Sequence, residues 1–268
     1  MERELTLLVG AIRKAGAKVG ELVRNGFEVQ TKPDRSPVTT VDLEVNHILY
    51  EMQRREFPLD GWLSEESPDD PARLARPRVW IVDPIDGTKA LVKGIPEYCI
   101  SAALVERGVP VVAAILNPST DELFTAVRGS GLFLNGARVT SSPAHKMDPL
   151  IMVNAWELRN DRWSTLAESA QCRPIYSIAH ALSLVAAGRI QATLTIESEN
   201  EWDLAAGVLL VEESGGTACD MDGKPFVFNK PTPRFLGVIA VAANADSDLR
   251  AKLQTHADSE SKGKQAAP

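Results

Sequence analysis

The chain has 268 residues, 44% of them hydrophobic and 24% charged, and 29 Lys and Arg against 36 Asp and Glu leave a net charge of −7. That length and apolar content support a sizeable buried core. An acidic chain with no basic tract argues against a nucleic-acid polymer as main partner, and the lack of any 18-residue apolar run argues against a bilayer-spanning helix.

Leu5, Leu8, Ile12, Ala15, Val19 and Val23 recur at steps of three and four, which predicts a first helix ending near Asn25-Gly26. Its charges, Glu2 and Glu4 among them, fit a folded helix rather than a secretory signal. The segment TKPDRSPVTT reads as a polar loop, and Val41, Val45, Ile48 and Met52 mark a second helix. Thr39 and Asp42 are spaced as a capping box at its start. From residue 62 the period shortens. WLSEES, VWIVDP (79–84), SAALVE (101–106), VPVVAAIL (109–116), ELFTAV (122–127) and GLFLNG (131–136) predict a largely antiparallel sheet, with breaks at Arg107-Gly108 and Asn135-Gly136.

The second half alternates. A strand is predicted at 151–156, helices at 161–170 and 178–187, and a strand at 192–196. A strongly apolar helix from Trp202 to Ser214 stops at Gly215-Gly216, and a buried strand at 235–243 precedes a closing helix. Composition places a seam near 140–150. The expectation is an N-terminal α+β domain (1–145), a C-terminal α/β domain (146–257) and a disordered polar tail (258–268).

The strongest chemical signal is WIVDPIDGTK. A strand ends at Asp83, Pro84 pins the backbone, and Asp86 follows. Such a turn can aim two carboxylates and the Ile85 carbonyl at one point, a hard-oxygen set suited to Mg²⁺, Ca²⁺ or Mn²⁺. Gly87 and Thr88 can present N–H groups to an anion. An Asx turn with a helix cap fits the same residues. Glu65 and Glu66 end the preceding strand, and strand alternation would let only one face a shared site; a surface turn is the other reading. Asp203 opens an apolar helix, where it either caps the first turn or is a covered carboxylate needing a partner. Converging carboxylates would require cations. His47, His145, His180 and His256 show no metal spacing. Cys99, Cys172 and Cys219 form no CxxC motif and read as inert thiols in a reducing compartment.

WIVDPIDGT, LSEES, SPVTTVD and EWDLAAG, in that order, resemble the inositol monophosphatase family, which includes the 3'(2'),5'-bisphosphate nucleotidases and is related to fructose-1,6-bisphosphatase; the likeness covers residues 5–245. The resemblance implies an α/β (α+β) fold, a layered αβαβα sandwich of the sugar-phosphatase type. It also implies a cytoplasmic homodimer and a Mg²⁺-dependent phosphomonoesterase with two or three ions that works by metal-activated water attack. By that resemblance Glu65, Asp83, Asp86, Asp203 and the Ile85 carbonyl are metal ligands, and Gly87 and Thr88 cradle the phosphate. Asp42 and the Thr88 hydroxyl orient and deprotonate the attacking water, and Lys32 lies near the metal–water network. Glu65 has both a ligand and a catalytic role, and Glu66 matches the family's second glutamate.

Substrate choice turns on Lys89, Ala181, Glu197 and Glu199. Lys89 looks like the nucleotidase branch, but Ala90 departs from it. Ala181 stands where nucleotidases often carry a lysine. The acidic TIESENEWD stretch favours a neutral polyol over a second phosphate. The expected substrate is therefore a small phosphorylated polyol, inositol monophosphate first. Adenosine 3',5'-bisphosphate is the alternative, and a non-catalytic metal-binding protein of the same fold is the remote one.

Overall fold

A computed structural model describes residues 1–140, 150–154, 158 and 170–265 of the chain. The first helix, α1 (Glu2–Asn25), buries Leu8, Ile12, Ala15 and Val19 as its stripe requires, and only the terminal Val23 is left exposed. It ends before Gly26, at φ 93°. The polar loop that follows contains a small ribbon, β1 (Val29–Thr31) with β2 (Pro37–Thr39). Helix α2 (Thr40–Glu56) opens with the expected capping box of Thr39 and Asp42.

Seven strands among the described residues form the first sheet, in the order of the chain: β3 (Gly61–Ser64), β4 (Arg78–Asp86), β5 (Cys99–Glu106), β6 (Val109–Asn117), β7 (Glu122–Val127), β8 (Gly131–Leu134) and β9 (Ala137–Arg138). The β3–β4 pair is parallel and every other neighbour is antiparallel. Alternation sorts β4: Trp80 and Val82 pack beneath α1 and α2, while Val79 and Ile81 face the opposite layer. A short helix, α3 (Thr88–Val92), follows β4.

The second sheet has the order β11 (Gln171–Ile175), β10 (Leu150–Asn154), β12 (Ala192–Asn200), β14 (Arg234–Val241), β13 (Thr217–Cys219). Strands β10 to β12 are parallel neighbours, and β14 runs antiparallel to both β12 and β13. Helices α4 (Ile178–Ala186) and α5 (Glu201–Glu213) lie between the sheets, and α6 (Ser247–Gln265) covers the outer face of the second. The result is the expected αβαβα sandwich. Sandwiching explains why α5 is apolar all round: Leu204 to Val211 are all buried. At Gly207 an added Cβ would lie 2.5 Å from Leu182 Cδ1, so only glycine lets α4 and α5 approach this closely.

The middle core layer draws on both halves of the chain, from Leu63 and Val79 to Leu209 and Val238. Nearly all of the seam near 140–150, all but the last residue of the helix predicted at 161–170, and His145 lie outside the described residues. The last helix runs to Gln265, past Asp258, where the polar tail was expected to begin. No proline interrupts that stretch before Pro268, so the helical ladder continues.

Candidate metal centre

Strand β4 carries the centre's first two acids through a bulge. Its pairing with β5 is regular to Asp83↔Ser101 and resumes only at Asp86↔Cys99. Pro84 has no N–H to give the ladder, so the strand kinks where both carboxylates must turn the same way. Asp203 arrives from the second half, in the first turn of α5. Carboxylate oxygens of Asp83, Asp86 and Asp203 all lie within 4.8 Å of one another.

Each acid is held by its own local donors. Asp86 Oδ2 accepts the Ser177 hydroxyl at 2.7 Å and the Ala179 N–H at 2.6 Å, both from the start of α4. Asp203 Oδ2 accepts the Asn200 backbone N–H at 2.7 Å and its side-chain amide at 3.2 Å. The second oxygens are left for the shared space. Asp83 is buried, and its Oδ1 has no hydrogen-bond partner among the described residues.

The electrostatics follow. Burial, then the charges of Glu65, Asp86 and Asp203, push the Asp83 carboxyl well above the usual carboxylate range. Burial and Asp86 push Asp203 up to about 8. Burial raises Asp86 to about 6 against the pull of the Ser177 and Ala179 hydrogen bonds. Like charges this close ionise together only beside cations. A bare buried carboxylate oxygen, three hard donors and the nearby Ile85 carbonyl fit a magnesium-type ion.

Around this core stand the other predicted residues. Asp42 is buried at the start of α2, and its Oδ2 accepts the Thr39 N–H (2.8 Å) and hydroxyl (2.5 Å). Its Oδ1 accepts the Thr88 hydroxyl at 3.0 Å, which also lies 3.0 Å from the Ile85 carbonyl oxygen. Burial raises Asp42 above its ordinary value, with the threonine bonds opposing. Gly87 sits at φ 92° as the cap of α3. An added Cβ there would lie 3.0 Å from the Glu97 carbonyl oxygen. Lys32, presented by the β1–β2 ribbon, donates to Glu65 at 2.8 Å and Glu66 at 2.5 Å. Burial disfavours its charge, but the two carboxylates outweigh that and hold its pKa above the ordinary lysine value.

Two expectations are corrected. Glu65 and Glu66 do not face opposite ways, because β3 ends at Ser64 and both fall in the following turn, where strand alternation no longer applies. Ala181 is fully buried between the sheets. It is a packing position, with no access to solvent. Lys89 is exposed on α3, and Glu197 and Glu199 are half-buried on β12. Glu201, in the same acidic stretch, is fully buried and accepts the N–H groups of Asn229 (2.7 Å) and Lys230 (2.9 Å).

His180 is buried and its pKa falls to about 4, because burial penalises the charged ring. Burial likewise pushes the Cys99 thiol up, in keeping with an inert sulfur. Sequence reasoning named Thr39 only as a cap and passed over Ser177 and Asn200. The available signal was capping: each precedes a helix, and Asn200 and Asp203 have capping-box spacing.

The model of the inositol monophosphatase family matches residues 1–262. The Nus factor SuhB of Escherichia coli is 32% identical over 234 residues, 83% of this chain and 87% of its own length. Inositol monophosphatase 2 of Solanum lycopersicum is 32% identical over 230 residues, 80% and 87% of the two chains. The solved structure of the Thermotoga maritima IMPase superposes with a TM-score of 0.82 at 27% identity, covering 97% of this chain and 99% of that one. A family match across nearly the whole length, with the acids of its motifs gathered at one centre, means that this chain belongs to the inositol monophosphatase family of phosphatases.

Proposed function

We propose that the protein is a Mg²⁺-dependent phosphomonoester hydrolase whose preferred substrate is a small phosphorylated polyol, inositol monophosphate first. The observation that carries this is the convergence of Asp83, Asp86 and Asp203 within 4.8 Å, with Asp83 Oδ1 bare. Those three carboxylates, Glu65 and the Ile85 carbonyl would hold the cations. Bound magnesium would acidify water and offset the negative charge of phosphoryl transfer.

The chain's own residues do the rest. Gly87 and Thr88 turn the first-turn N–H groups of α3, which have no partner within the helix, toward the phosphoryl oxygens. The Thr88 hydroxyl takes up the proton of the attacking water as it passes its own to Asp42 Oδ1, along the 3.0 Å bond between them. Asp42 can receive it because burial has made it more basic than an exposed aspartate. Lys32 neutralises Glu66 and leaves one oxygen of Glu65 for the centre. Water's oxygen bonds to phosphorus, the ester bond breaks, and the products are an alcohol and inorganic phosphate.

Burial of Ala181 removes one argument for a polyol. What supports it is the acidic TIESENEWD stretch that ends β12 and leads to Asp203, whose negative charge disfavours a second phosphate. Exposed Lys89 supports the bisphosphate nucleotidase alternative. The relatives named as Nus factors do not shift the balance, since the tomato inositol monophosphatase is equally identical at 32%. Side-by-side phosphate release from myo-inositol 1-phosphate and adenosine 3',5'-bisphosphate at equal Mg²⁺ and ionic strength is the test. A higher kcat/KM for the inositol ester is expected, by a factor of about 10 or more if a charge-assisted phosphate contact is missing. The reverse order promotes the nucleotidase reading.

A further inference from the structure

A second charged network, buried at Arg73 and Glu201 and exposed at Asp69, reaches the helix that carries Asp203 and takes no part in the chemistry above. Arg73 is 2% exposed and Glu201 is fully buried, yet they are not paired with each other. Arg73 forks onto Asp69 with Nε (2.6 Å) and Nη2 (2.9 Å). It then reaches across the molecule to the Asn229 side-chain oxygen (2.7 Å) and the Lys230 carbonyl (3.0 Å). Asn229 returns a side-chain bond to the Arg73 carbonyl at 3.3 Å. The same two residues donate their backbone N–H groups to the two oxygens of Glu201, at 2.7 and 2.9 Å. Asn229 holds this double contact in a left-handed conformation, at φ 62°.

The ends of the network matter most. Asp69 lies four residues after Glu65, in the connection from β3 to β4, and Glu201 is the first residue of α5, two before Asp203. The network thus links the segment bearing one acid of the centre to the helix bearing another, across the boundary between the first sheet and the middle helix layer. We propose that Arg73, Asn229 and Glu201 are positioning residues, which fix the separation of Glu65 and Asp203 and so the affinity of the centre for its cation. The proposal rests on the metal-centre reading above. A buried ionic network adds little net stability over apolar packing of the same shape, whereas it fixes geometry through directed bonds.

The test is calorimetric titration of the whole protein with MgCl₂ alone. Asn229→Gly keeps the left-handed backbone and removes both side-chain bonds, and Arg73→Met removes the charge. Each should lower Mg²⁺ affinity about tenfold. Because the residues act in series, the double variant should lose no more affinity than the more affected single variant. Leu253→Ala, a fully buried change on the inner face of α6 in the outer layer, controls for lost stability and should leave affinity unchanged. If Arg73→Met does not fold, Asn229→Gly carries the test. Affinity within twofold of wild type in Asn229→Gly overturns the inference, as does an equal loss in Leu253→Ala. Wild type that takes up no Mg²⁺ overturns the parent reading and this one with it; wild-type uptake with unchanged variants overturns this one alone.

Discussion

Replacing Asp83 by Asn should make the metal-free protein more stable and the enzyme inactive. The carboxylate is buried, one of its oxygens has no partner among the described residues, and Glu65, Asp86, Asp203 and Asp42 all repel it. At 4.8 Å and an effective dielectric near 20, one pair of like charges costs about 3 kcal/mol. Shared protons relieve part of this in the wild type, so a gain of roughly 2 kcal/mol is expected, or about 4–8 °C in Tm for a chain of this size. The pH dependence has a definite sign. In the folded state burial raises Asp86 to about 6 and Asp203 to about 8, both above the ordinary aspartate value, so folding retains protons that the unfolded chain has released. Metal-free wild type should therefore lose stability as pH rises from about 4 to about 8 and level off above. Asp83→Asn should flatten that slope, and Mg²⁺ should restore wild type at pH 8 far more than the variant. Scanning calorimetry with EDTA and with Mg²⁺, beside phosphate release, reads all of this. A loss of several kcal/mol of transition-state stabilisation means a fall in turnover of at least about 100-fold. A metal-free wild type equally stable at pH 5 and 8, or near-normal turnover of the variant at saturating Mg²⁺, would refute the reasoning.

Thr88→Ala should cut kcat by about 100-fold or more while Mg²⁺ affinity, read by calorimetry, stays near wild type, because the hydroxyl serves the proton path and is not a ligand in the proposed set. Ser177→Ala should do the reverse: it removes a donor to Asp86 and the cap on the His180 N–H, so Mg²⁺ affinity should drop about tenfold and urea unfolding should show a loss of about 1 kcal/mol. Gly207→Ala should cost about 1–3 kcal/mol by urea unfolding, since its Cβ would lie 2.5 Å from Leu182 Cδ1. Light scattering at micromolar concentration should give twice the chain mass if the homodimer implied by the family holds.

The layers were legible because burial imposes periods on the sequence. The stripe of α1 and the unbroken apolar runs of β4 and α5 each follow from how many faces an element hides. Elements without such a pattern were missed. The three residues of β1 are all exposed, and β13 has only three residues, too few to alternate. The acids at element ends, Asp83, Asp86 and Asp203, stand out against apolar neighbours. The groups that aim them do not: Ser177 reads as an ordinary cap, and Arg73 meets Asn229 across 156 positions with no local sign of the contact. The turn at Glu65-Glu66 was misread because the strand stops at Ser64, ahead of both acids, and nothing in the polar SEES stretch marks that end.

The central claim is that the Asp83–Asp86–Asp203 centre supports Mg²⁺-dependent hydrolysis of a phosphomonoester. The most direct measurement is phosphate release from myo-inositol 1-phosphate by the purified chain, with Mg²⁺ and with excess EDTA, next to Asp83→Asn. The account predicts sustained release with Mg²⁺, none above background with EDTA, and at least about 100-fold less from the variant. Release that is unaffected by EDTA, or equal in the variant, would contradict it.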